Sequence, residues 1–153
     1  MTTIAVKDGI IAFDSRQTRD NIIISDKAIK QKETECYIYF CTGCLDEIDR
    51  FIELHENNTK YQHPINVNAF IFSKESKNLF YAGVSNETTP LGEPILQLWK
   101  HKISEDEINA IGSGRDFAIA AMDLGMSAME AIEYTTCRDI YTGGIINTFR
   151  IKD

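Results

Sequence analysis

The chain begins Met1-Thr2-Thr3-Ile4, which sets two hydroxyl side chains directly behind the initiator methionine at the head of an apolar strand. A hydroxyl is a weak nucleophile until a base takes its proton. A terminal α-amine, with an ordinary pKa of about 7.7–8.0, is partly neutral at physiological pH and can be that base. Loss of Met1 would therefore give Thr2 both the nucleophile and its base on one residue. A carboxylate is placed to meet it. Asp8-Gly9 separates two apolar runs and has the composition of a tight hairpin turn. A two-residue turn sets Thr3 opposite Asp14 and Thr2 opposite Ser15; a three-residue turn, Lys7-Asp8-Gly9 with a bulge, sets Thr2 opposite Asp14 itself. In both registers Thr2 lies beside Asp14.

The other reactive residues form no comparable set. Cys41-Thr42-Gly43-Cys44 has the CxxC spacing of a redox pair or half a zinc site, but His55, His63 and His101 are scattered, and Cys36 and Cys137 have no partner at ligand spacing. Reduced thiols packed as small hydrophobes are expected, with no metal or other cofactor.

The elements that would position these groups can be read from periodicity. Ile10–Phe13 and Tyr37–Phe40 are continuous apolar runs, the pattern of strands covered on both faces. Leu45–Leu54 carries Leu45, Ile48, Phe51, Ile52 and Leu54 at helical spacing. Val67–Ser73 and Leu79–Ser85 read as a strand pair around the turn Lys74–Asn78, Ile95–Trp99 as a short further strand, and Ile108–Ile111 as a strand ending in Gly112-Ser113-Gly114. Phe117–Leu124 is a small-residue helix closed by Gly125, and Ser127-Ala128-Met129-Glu130 is a capping box opening a second helix toward Arg138. A last strand spans Ile145–Ile151. Strands, helix, strands, two helices and a strand point to antiparallel sheets flanked by helices in one domain, residues 1–153. With 43% hydrophobic residues and a formal charge of -7, the chain offers no phosphate-tracking basic surface, so nucleic acid is not an expected partner. No apolar run is long enough to span a bilayer and the N-terminus does not resemble a signal peptide, so no membrane contact and a cytoplasmic location are expected.

Three stretches together resemble the catalytic β-subunits of proteasomes and the peptidase subunit of the bacterial HslUV protease: Thr2-Thr3-Ile4 with Asp14-Ser15-Arg16-Gln17-Thr18, then Gly112-Ser113-Gly114, then Arg138-Asp139-Ile140-Tyr141-Thr142-Gly143-Gly144. The likeness runs from residue 2 almost to the C-terminus, with residues 50–105 matching in layout only. It implies an α+β fold, the four-layer αββα sandwich of the N-terminal nucleophile (Ntn) hydrolases. Carried across position by position, Thr2 matches the nucleophile, Asp14 the acid of the Asp-Ser-Arg motif, and Thr18 a residue that binds substrate backbone. Lys30, sixteen residues after Asp14, matches the family lysine by its spacing. Ser113, Asp139 and Thr142 match the polar groups gathered around the terminal amine. Backbone N–H groups near Gly43 are candidates for an oxyanion hole, although Thr42-Gly43 stands where the family has Gly-Gly and Cys44 where it has a small residue.

The activity so implied is a threonine-type endopeptidase acting through an acyl-enzyme on Thr2. Its substrates would be unfolded polypeptides or peptides, in a homo-oligomeric ring that could work with an ATPase unfoldase. Two rivals share the fold: a non-catalytic assembly subunit that keeps Met1, and an Ntn amidase acting on small amides.

Overall fold

A computed structural model describes residues 2–151. The chain runs through β1 (Thr3–Lys7), β2 (Ile10–Phe13), β3 (Gln17–Arg19), β4 (Ile22–Ser25), β5 (Gln31–Glu33), β6 (Tyr37–Thr42), α1 (Leu45–Asn57), β7 (Asn68–Ser73), β8 (Leu79–Thr88), β9 (Pro94–Lys102), β10 (Asn109–Gly112), α2 (Arg115–Asp123), α3 (Ala128–Thr136) and β11 (Asn147–Arg150). Two antiparallel sheets result, ordered β10-β1-β2-β11 and β5-β6-β7-β8-β9, and β3-β4 forms a separate two-stranded ribbon.

Strand alternation sorts the side chains into layers. Ile4, Val6, Ile11 and Phe13 leave one face of the first sheet to meet Ile38, Phe40, Phe70 and Phe72 of the second. On the first sheet's other face, Ala5, Ala12 and Ala110 give the close approach on which α2 and α3 pack through Ala118, Ala121, Met122, Ala131 and Ile132. The second sheet turns Tyr39, Cys41, Ala69 and Ile71 toward Ile48, Phe51 and Leu54 of α1. Helix, sheet, sheet and helix are the four expected layers, and the continuous apolar runs are continuous because both strand faces are covered.

The β1–β2 turn has two residues. Asp8 (φ 51°) and Gly9 (φ 73°) are both left-handed, as this turn requires. Ile4 pairs with Phe13 and Lys7 with Ile10, a register that continues to Thr3 opposite Asp14. The three-residue alternative is thereby excluded. Ser127 caps α3 in a reciprocal capping box with Glu130, as its sequence predicts. Helix α1 continues to Asn57, a turn beyond its apolar stripe, and β8 and β9 are longer than their sequence patterns. Strands β3, β4 and β5 have no counterpart in the sequence reading. Of the cysteines, all free, only Cys41 is buried in the core; Cys36, Cys44 and Cys137 are exposed, which corrects the expectation that all four pack as hydrophobes. Burial pushes the Cys41 thiol up to about 12, so it is inert at neutral pH.

Candidate active site

The polar cluster forms where β1 emerges between β10 and β2. On one side Thr3 pairs with Gly112, and the Ser113 N–H donates to the Thr2 carbonyl at 3.1 Å. On the other, the Thr3 N–H donates to Asp14 Oδ1 at 3.2 Å. The peptide joining Thr2 to Thr3 is thus held at both of its polar atoms. Gly112 permits this. Its φ is +104°, and a Cβ there would collide with the Thr2 carbonyl.

Asp14 is fully buried and fully engaged. Its Oδ1 also accepts from Lys30 Nζ at 2.8 Å, and its Oδ2 accepts the Gly143 N–H at 2.9 Å. Lys30, just ahead of β5, has a side chain only 9% exposed. Burial pushes its ammonium below the ordinary lysine value, while the Asp14 carboxylate opposes that shift. The lysine and the Thr2–Thr3 peptide therefore converge on one carboxylate oxygen.

The second half of the cluster is built on Asp139, just beyond α3. Ser113 Oγ donates to Asp139 Oδ2 at 2.6 Å, Thr142 Oγ1 donates to the same oxygen at 2.6 Å, and the Tyr141 N–H donates to Oδ1 at 3.2 Å. Burial works against ionisation of Asp139, but the hydroxyl donors Ser113 and Thr142 and the Tyr141 N–H outweigh it and hold the carboxyl below its usual value. Ser113 does not cap α2, since Gly114 occupies the N-cap.

Of the residues singled out in the sequence, Thr2, Asp14, Lys30, Ser113, Asp139 and Thr142 are thus drawn into one connected cluster. Thr18 lies on β3 and Gly43 between β6 and α1, at φ +138°. No hydrogen bond joins Gly43 to the cluster among the described residues. Three contributors were missed. Thr3 connects the two halves, its hydroxyl accepting the Gly114 N–H at 2.9 Å and lying 2.7 Å from Thr142 Oγ1. Gly143 supplies the second anchor of Asp14. Arg16 grips Asp26 with two nitrogens, at 2.8 and 3.1 Å, and donates to the Ile140 carbonyl at 3.0 Å, fixing the loop that carries Gly143. The signal for Thr3 lay in the two-residue turn, which sets it opposite Asp14; contacts across 124 residues, such as Arg16 to Ile140, leave no local signal.

The two antiparallel sheets packed between helices form the αββα sandwich that the sequence resemblance implies. Among solved structures the chain is similar to Thiobacillus denitrificans BPH in complex with epoxomicin, with a TM-score of 0.60, 99% of each chain covered and 16% sequence identity. No protein-family model and no curated protein matches the sequence.

Proposed function

We propose that this chain is a threonine-type peptidase whose nucleophile, Thr2, is freed by removal of Met1. The observation that carries this reading is the buried Asp14 carboxylate, which takes Lys30 Nζ on the same oxygen as the N–H that follows Thr2. A cation held there stabilises the alkoxide that develops as Thr2 Oγ1 loses its proton to its own amine. The Oγ1–carbonyl bond forms as the scissile C–N bond breaks, the leaving amine takes the proton, and water then hydrolyses the ester with the Thr2 amine again as base. Ser113, Thr142 and Asp139 orient the amine and that water. Gly43 and its neighbours offer N–H groups to the carbonyl oxygen, and Thr18 holds substrate backbone. The fold shared with an epoxomicin-bound protein supports this reading, because epoxomicin is a proteasome inhibitor.

A homo-oligomeric ring acting on unfolded chains in the cytoplasm, fed by an ATPase unfoldase, is the assembly that best suits such a subunit. Among the described residues no helix is long and apolar enough to cross a membrane. Intact mass after incubation with epoxomicin tests the assignment: loss of one Met and a single adduct on residue 2, abolished in Thr2→Ala, is expected. Full retention of Met1 with no adduct would instead make the chain a non-catalytic assembly subunit. Turnover confined to non-peptide amides would make it an amidase.

A further inference from the structure

The Thr3 hydroxyl is completely buried and lies on the helix-facing side of β1, the side that Ala5 lines. A valine of the same shape would fill that space, so packing alone gives no reason for an oxygen there. The oxygen instead sits in a chain whose direction is fixed. Asp139, ionised, only accepts, so Thr142 spends its one hydroxyl proton on Oδ2 and must accept from Thr3. Thr3 in turn accepts the Gly114 N–H. Donation therefore runs from Gly114 through Thr3 and Thr142 to Asp139, where Ser113 ends from the other side. Gly114 also has no room for a side chain, since a Cβ would press on Thr135 and on Thr3 Oγ1 itself.

We propose that Thr3 is a positioning residue for Thr2: its hydroxyl ties β1 to the Thr142–Asp139–Ser113 chain while its N–H ties the same residue to the Asp14–Lys30 pair. Each link is ordinary. Together they set the Thr2 backbone against both charged centres through one residue, and chained hydroxyls polarise one another, Thr3 and Thr142 being completely buried. The consequence for catalysis rests on the assignment of Thr2 as nucleophile; the hydrogen-bond chain does not.

The test compares the wild-type chain with Thr3→Val and Thr3→Ser. A carbon-13 carboxyl titration should show the Asp139 midpoint rising in Thr3→Val and returning in Thr3→Ser, with the Asp14–Lys30 pair and neighbouring Arg16 intact in all three. On the Met1-free chain, kcat should fall about 10²-fold in Thr3→Val with KM almost unchanged, and recover in Thr3→Ser. An unshifted Asp139 midpoint in folded Thr3→Val overturns the proposal, as does an unchanged kcat in an active enzyme. If wild type cleaves nothing but the midpoint shifts, the peptidase assignment fails and the chain of hydroxyls stands. Should Thr3→Val not fold, the wild-type protein decides: a slowly exchanging Thr3 hydroxyl proton with a cross-peak to the Thr142 hydroxyl is expected, and rapid exchange refutes it.

Discussion

Two hairpins follow one another in the chain and each carries a run of isoleucines or other aliphatic residues in its second strand, yet they meet opposite fates. In β1–β2, Ile4, Ala5, Ile11 and Ala12 are completely buried because a sheet lies on one side and two helices on the other. In β3–β4, Ile22, Ile23 and Ile24 are 66%, 50% and 48% exposed, because among the described residues the ribbon pairs with no third strand and its isoleucines join none of the core clusters. A two-stranded ribbon is marginal by itself. This one is held by polar clamps at its ends: Arg16 on Asp26, the Ser15 hydroxyl on the Asp26 carbonyl at 2.8 Å, and the Tyr141 hydroxyl on Asn21 at 2.7 Å. Burial rigidifies the first hairpin, and hydrogen bonds moor the second beside the site.

Substitutions can break or sharpen this contrast. The largest effect is expected at the mouth of the buried hairpin, where Lys30→Met strands a buried carboxylate and should destabilise the fold by about 3–5 kcal/mol. Urea unfolding of Lys30→Met beside Asp14→Asn/Lys30→Met checks this, and a double variant no more stable than the single one would refute it. Ile11→Ala, deep between the sheets, should cost about 2–5 kcal/mol by the same measurement.

A third effect appears only with pH. Burial, and then the neighbouring Lys100, push His55 down to about 4, whereas in the unfolded chain it titrates near its ordinary value of about 6.5. Between these values the unfolded state binds a proton that the folded state refuses, so stability falls as pH drops from about 6.5 to about 4. Unfolding midpoints at neutral and acid pH should therefore differ less in His55→Phe than in wild type; equal differences would rule out His55 as the source.

Smaller still, Arg16→Lys keeps the charge but loses the two-pronged grip, and the pair is part-exposed. Faster amide exchange across Ile22–Ser25 is expected, with less than about 1 kcal/mol lost globally. Exchange unchanged from wild type would show that the ribbon does not depend on this clamp. Least of all, Ile23→Ala should shift stability by no more than about 0.5 kcal/mol. A loss matching Ile11→Ala would mean that the two hairpins do not differ in the way described.

The same contrast explains what could be read in advance. The β1–β2 hairpin was legible because Asp8-Gly9 between continuous apolar runs marks a tight turn, although its register was fixed only by the structure, and α3 because a capping box is a local pattern. The ribbon was not: Ile22-Ile23-Ile24 alone cannot show whether a layer will cover it, and Gln31–Glu33 becomes a strand only by pairing with β6. In the site, Lys30, matched by its spacing, came together with Asp14. For Thr3 the turn signalled only its place opposite Asp14; its hydroxyl's partners Gly114 and Thr142 lie more than a hundred positions downstream, where no local rule of turn, cap or period reaches.

The two ends of the first sheet also bear on how the protein is handled at the bench. The Ile151 N–H closes on the Gly9 carbonyl at 2.8 Å, beside the β1–β2 turn, while Thr2 lies at the opposite edge between Ser113 and Asp14. A purification tag or fluorophore fused ahead of Thr2 would keep the residue 2 nitrogen acylated beside the polar cluster. Ile151, by contrast, lies at the other end of the sheet, away from that cluster.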